Sequence, residues 1–449
     1  MKILPLLIGS LIVAAPVAAQ SVASLKRELR EKESAARGDA DALVEVALWA
    51  EEKGLVSDRR RILNNVLKLA PDHEKAHDLL GFVKFDGEWM TKSKAEALAK
   101  KAREAEMKEK GFVEVDGVWV AKDEVDDAKR GIYHHDGTRV SKAEKIALLD
   151  GKVRHPVTGE FIDASDLPKA NADQFPLGSS GRWGDEAVAD AYHKTVGTPW
   201  VFRTHYATVI SNKPLADLKD ISRTLDAGFE SAQRILGEVE PSPTNRPVIL
   251  IAQTTEQFIS LGEQIGDEGS AYAVFRATGM LEAQGVSPVR PIVMNWDKDW
   301  GQYWLRHAAG LGLISAILED TDATAPLWFE RGVAGYAERL FNPGVASHFG
   351  KAHLQKGGVS DLAGWFANFE ISGDLGQSEL DFNMYQAGLV LEDAMQGGDA
   401  AAKSALDAVR KAVADGDGRA LTKAITALQE ALAKAEDGVR ERLRTITSQ

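Results

Sequence analysis

WLRHAAGLGLISAI at 304–317, followed by PLWFERGVAGYAERL at 326–340, is the stretch whose reading decides the fold. His307, Leu311, Ile314 and Leu318 recur at three- and four-residue spacing and so share one face of a helix. From Trp300 to the end the chain reads as almost wholly helical. Upstream of it the pattern alternates. Trp200–Ser211 reads as a strand, Ala216–Leu236 as a helix and Arg246–Ala252 as a strongly apolar strand. Thr255–Leu261 opens a helix, Ala271–Arg276 an edge strand and Pro291–Trp296 a further strand. Strands first and helices afterwards predict an α+β domain over 200–449, with a small mixed sheet and a mainly helical C-terminal half.

Residues 168–199 carry Pro, Gly, Ser and Asn with few periodic apolar positions, which predicts a linker. Before it stands a repeat. Phe85-Asp86-Gly87-Glu88-Trp89 recurs as Val115-Asp116-Gly117-Val118-Trp119 and as His135-Asp136-Gly137-Thr138-Arg139, with a looser copy at Val157-Thr158-Gly159-Glu160-Phe161. Asp-Gly between extended residues predicts type I′ hairpins over 81–167. Thr91, Ser141 and Asp163 are candidate caps of the helices that follow, against which each hairpin aromatic is expected to pack. Residues 20–80 read as short paired helices resembling a tetratricopeptide-type unit, with Asp72 as the cap of the last.

The C-terminal half resembles the catalytic domain of gluzincin-type zinc peptidases, the peptidase MA-like domains attached to exported helical-repeat proteins. Three phrases carry the resemblance: the helix around His307, the run from Pro326 to Tyr336, and Asn383-Met384-Tyr385-Gln386-Ala387-Gly388-Leu389-Val390. The resemblance implies a zincin-like fold. It places His307 at the first zinc-ligand position, Ala308 at the general base, Leu311 at the second histidine and Glu330 at the third ligand, with Arg331 as one inserted residue and Tyr336 closing the phrase. Catalytic zinc needs three protein ligands and a base to activate its water. The site is thus read as vestigial, with neither catalysis nor a cofactor. His307 reads as a core histidine on an apolar helix face. Glu330, beside Trp328 and Phe329, is expected to be partnered by Arg331, Arg339 or His307, a His307–Glu330 pair then standing in place of the metal.

A literal H-E-x-x-H stands elsewhere, at His73-Glu74-Lys75-Ala76-His77. It offers the alternative of an active zinc metallopeptidase with His73 and His77 as ligands and Glu74 as base. Glu96 lies at a suitable distance in sequence for a third ligand, but in a charged helix beyond a hairpin. Asp72, Lys75 and Asp78 give it a charged setting at a helix start, which favours coincidence in a helical repeat. A second alternative is a non-metal hydrolase using Glu330 with Tyr336 or His205. His134, His135 and His155 lie on hairpins. His348 and His353, five apart, fall off a common helix face. Asp415-Gly416-Asp417-Gly418 reads as a helix-connecting turn rather than a calcium loop.

Lys2, the apolar run Ile3–Ala15 and Pro16-Val17-Ala18-Ala19 read as a cleavable export leader over 1–19. The formal net charge of −13 argues against a nucleic-acid partner, and the absence of cysteine excludes disulfides and thiolate metal sites. No segment after the leader reads as a membrane span. The expectation is an exported, periplasmic or cell-envelope protein, a catalytically inactive metallopeptidase-like module that binds or scaffolds a protein or peptide.

Overall fold

The computed structural model describes residues 22–448 except 196, 270–271, 284–285, 342–360 and 373–374. The expected leader, His348 and His353 lie outside the described residues. The chain divides into two compact units, Met1–Val113 and Glu114–Gln449.

In the first unit, α1 (Val22–Ala35), α2 (Ala40–Glu52), α3 (Val56–Leu69) and α4 (Glu74–Leu80) precede the hairpin β1 (Phe82–Phe85) and β2 (Glu88–Thr91) and the long helix α5 (Lys92–Glu109). Val44, Ala47 and Ala50 of α2 share a buried cluster with Ile62, Leu63 and Val66 of α3, as their helical spacing requires. The cap of α4 is His73 rather than the expected Asp72: His73 Nδ1 accepts from Ala76 N at 3.3 Å. Thr91 caps α5 as expected, accepting from Lys94 N. Trp89 stacks on His77 of the preceding helix, ring centroids 4.1 Å apart, so this hairpin aromatic packs backward onto α4.

The Asp-Gly turns take the left-handed pair that a type I′ turn needs: φ is 50° and 84° at Asp86 and Gly87, 48° and 81° at Asp116 and Gly117, 48° and 76° at Asp136 and Gly137. The division between units falls inside the second hairpin, β3 (Val113–Val115) and β4 (Val118–Val120). After it come α6 (Val125–Lys129), β5 (Tyr133–His135), β6 (Thr138–Val140), α7 (Lys142–Leu149), β7 (Lys152–Arg154) and β8 (Phe161–Asp163). Ser141 forms a full capping box with Glu144. Asp163 makes no cap bond and instead pairs with Lys152 at 3.0 Å.

The third and fourth hairpins are fastened to the sheet that follows them. Thr244 Oγ1 donates to Gly131 O at 2.7 Å, Arg203 N donates to Thr158 O at 2.8 Å, and Glu144 pairs with both Arg154 and Arg203. The expected separate repeat domain over 81–167 is therefore divided, its larger part joining the C-terminal unit. The expected linker 168–199 is also structured, as α8 (Leu167–Ala170), β9 (Phe175–Pro176), β10 (Trp183–Gly184) and α9 (Glu186–His193). Its apolar residues are too sparse to show a period, yet Phe175, Leu177 and Ala189 lie in the main core.

Trp200–Ser211 is two strands, β11 (Trp200–Arg203) and β12 (Thr208–Ser211), paired antiparallel. Next come α10 (Leu215–Leu236), β13 (Val248–Ala252), α11 (Thr255–Ile265), β14 (Val274–Arg276), the small hairpin β15 (Leu281–Ala283) and β16 (Val286–Val289), and β17 (Ile292–Asn295). One mixed sheet runs β11-β12-β13-β17-β14, with β12, β13 and β17 parallel and β14 an antiparallel edge, as expected for that strand. Its two-residue side-chain period sorts the strands. Val209, Ile249, Ile251, Val274, Ile292 and Met294 join the main core, while Ile210, Val248, Leu250, Phe275 and Val293 pack with Phe258 and Leu261 of α11.

The rest is helical: α12 (Gly301–Thr321), α13 (Leu327–Arg339), α14 (Leu362–Ala367), α15 (Gln377–Gln396), α16 (Ala400–Asp415), α17 (Gly418–Lys434) and α18 (Glu436–Ser448). The unit is thus α+β with small sheets and a mainly helical C-terminal half. A Cβ on Gly335 would stand 2.5 Å from Met384 O, and one on Gly388 2.8 Å from Tyr336 N, so these two glycines set how closely α13 and α15 approach. Gly416 ends α16 in the left-handed region and Asp417 caps α17, making the 415–418 run a helix-connecting turn. Among the described residues, no helix is long and apolar enough to cross a membrane.

Candidate functional site

α12 carries His307 wholly buried at 0% exposure, facing α13. Its Nδ1 lies 2.8 Å from Glu338 Oε2, and its Nε2 lies 3.1 Å from Arg331 Nη1. A carboxylate can only accept and a guanidinium can only donate, which fixes the ring: Nδ1 bears the hydrogen and Nε2 the lone pair. Glu338 also accepts from the Tyr272 hydroxyl at 2.7 and 2.9 Å, and the Tyr272 ring tilts over His307 at 4.8 Å.

Arg331 is likewise without exposure. Nη1 also donates to Val274 O at 3.1 Å, and Nη2 pairs with Glu268. Burial pulls its guanidinium down to about 9, still ionised at neutral pH, and Glu338 opposes that shift. Glu330 turns to a different partner. Arg276, brought by the edge strand β14 onto the face shared with Val274, donates Nη1 to Glu330 Oε2 at 2.6 Å and to Ser315 Oγ at 3.3 Å. Burial raises the Glu330 carboxyl, and the Arg276 charge partly offsets this.

The expected His307–Glu330 pair is therefore not formed. Successive residues on a helix point about 100° apart, and it is Arg331, the next residue, that faces His307. Glu338 stands seven residues on, two turns along the same side. That spacing was present in the sequence, so Arg331 and Glu338 could have been found by placing 326–340 on a helix. Tyr272 and Glu268 could not, because they come from the approach to the edge strand, far from this helix in the chain. Ala308 and Leu311 are wholly buried in the apolar core. Beside Glu338, Tyr385 and Asp381 the described residues leave a hollow of about 20 Å³, room for about one water and not for a peptide.

The literal motif is arranged differently. His73 Nε2 lies 3.0 Å from Asp41 Oδ1, while its Nδ1 caps α4. His77 Nε2 donates to Pro71 O at 2.7 Å beneath Trp89. The two imidazoles are thus held by separate partners, because His73 stands at the cap rather than one turn below His77 inside the helix. Glu96 is exposed on α5. Among the described residues, no group of three His, Asp or Glu is placed to hold a metal ion.

The non-metal set is not assembled either. Tyr336 donates to Met395 Sδ at 3.8 Å, and His205 lies exposed near Glu240, at 3.7 Å, while Glu330 faces Arg276. Of the hairpin histidines, His134 pairs with Asp127 at 2.9 Å, His135 lies near Asp136, and His155 is buried against Phe175 with Nε2 on Gln174 O. No family model matches the chain, and neither a curated protein nor a solved structure is significantly similar to it.

Proposed function

We propose that the C-terminal unit is a gluzincin-like peptidase domain without catalysis, serving as a binding or scaffolding module of an exported cell-envelope protein. One observation carries this reading. His307 donates Nδ1–H to a carboxylate, the arrangement by which proteins orient an imidazole for a metal, yet its Nε2 lone pair accepts from Arg331. A guanidinium bound at that nitrogen blocks a cation at the same place. Ala308 supplies no base, and Leu311 no second ligand.

The acidic net charge of −13 is consistent with a protein or peptide partner rather than nucleic acid. Export rests on the leader-like residues 1–19. The test is elemental analysis of the purified chain together with a peptide-library cleavage assay. The expected result is no stoichiometric zinc and no cleavage that a chelator stops. One zinc per chain with chelator-sensitive cleavage overturns the proposal, and loss of that cleavage in Glu74→Gln would assign it to the His73–His77 motif.

A further inference from the structure

A cavity of about 670 Å³ opens against the sheet face on which α11 packs. α11 lies over β13 and β17, so part of that face is left to other walls. The hairpin β7–β8, the β9–β10 segment and α9 supply them, and Phe161, Val201, Ile210 and Leu250 give the cavity an apolar lining.

Among the described residues, three polar groups on its wall have unused capacity, and all are acceptors: the Glu160 carboxylate, Asn212 Oδ1 and His193 Nε2, whose ring donates Nδ1–H to Thr198 O. Among the described residues Glu160 receives only the Thr158 hydroxyl, at 3.5 Å, and burial pushes its carboxyl up to about 7. Asn212 donates Nδ2 to Lys194 O at 3.1 Å and leaves Oδ1 without a donor.

Among the described residues, none of the charged and titratable groups around Glu160 is paired with it. Lys152 is held by Asp163, Lys169 by Asp166, and Arg203 by Glu144. Arg182, exposed on the cavity wall, donates Nε to Ser180 and reaches Glu160 in no hydrogen bond, His155 Nε2 bonds Gln174 O and His193 Nδ1 bonds Thr198 O. Tyr192 lines the cavity without reaching Glu160 in any hydrogen bond of the structure. A buried carboxylate without a cation is costly, and a ligand that brings one removes the cost.

We propose that this cavity is a binding site for a small organic amine, its apolar body on Val201, Ile210 and Leu250 and its N–H groups on Glu160. The site is independent of the His307 cluster, so zinc or cleavage found there leaves this inference standing.

The test is calorimetric titration of the full chain with 4-phenylbutylamine and, as the matched anion, 4-phenylbutyrate, at pH 6 and pH 8. The amine is expected to bind saturably with Kd below about 1 mM at pH 8, and the carboxylate at least about tenfold more weakly. Binding of the amine weakens at pH 6, where Glu160 is protonated. Glu160→Gln loses about tenfold and the pH dependence, and Val201→Trp fills the cavity and abolishes binding. Absence of saturable amine binding, equal affinity for the carboxylate, or undiminished binding by either variant overturns the inference.

Discussion

Arg331 on α13 donates Nη1 to Nε2 of His307 on α12 across 3.1 Å, with neither side chain exposed to solvent. The contact joins two helices through a cation and the one lone pair of an imidazole, and Glu268 and Glu338 balance the charge from two sides.

Removing that cation leaves two acids buried without it. Arg331→Met is expected to lower the unfolding free energy by about 3–5 kcal/mol, the usual consequence of breaking a buried ion pair on one side. Urea denaturation at neutral pH checks this. A loss under about 1 kcal/mol would show that the cluster is hydrated in solution.

Rebuilding a metal site tests the peptidase-like reading from the other direction. Ala308→Glu, Leu311→His and Arg331→Glu made together free His307 Nε2 and restore a base, a second imidazole one turn away and an acid on α13. Glu338 already holds Nδ1. The folded triple variant is expected to take up one zinc per chain, read by elemental analysis, or one cobalt with a tetrahedral absorption band. A folded variant that binds neither ion counts against descent from a metal site.

The contact between α13 and α15 gives a third expectation. Gly335→Ala gains helix propensity of about 1 kcal/mol but sets a methyl 2.5 Å from Met384 O. Overpacking of backbone cannot relax by a rotamer change, so a net loss of about 1–3 kcal/mol is expected in thermal or urea unfolding. Stabilisation by this substitution would mean that the two helices are free to separate.

Glu160 gives a pH signature. Its folded carboxyl sits at about 7, above the 4.5 of an ordinary glutamate, so its protonated form is favoured on folding. Stability linked to this group is complete below about pH 4 and is lost as pH rises through 7. Glu160→Gln removes the dependence, so the variant gains on the wild type by on the order of 1–3 kcal/mol between pH 4 and pH 8. Parallel stability curves for the two proteins over that range would contradict the burial of this carboxyl.

How much of this was legible depends on the range of the interaction. The Asp-Gly turns, the buried strand Val248–Ala252, the edge position of β14 and the helices after Trp300 follow from local preference and period. The break of Trp200–Ser211 into two strands did not stand out, because Thr204 and Ala207 bond each other across a turn without glycine or proline. The region 168–199 reads as a linker because its apolar residues are few and irregular. What buries them is the neighbouring sheet.

By itself the sequence determined most of the elements, the net acidic charge and the absence of thiols. Only the tertiary structure decided which charge meets which. Arg331 rather than Glu330 faces His307, and Glu338, Tyr272, Glu268 and Arg276 complete two interlocking ion networks. Helix formation is set by neighbours three and four residues away, whereas the pairing of buried charges depends on the rotation of one helix against another and against the edge of the sheet. That rotation is fixed by packing at positions such as Gly310, Gly335 and Gly388, where backbone meets backbone.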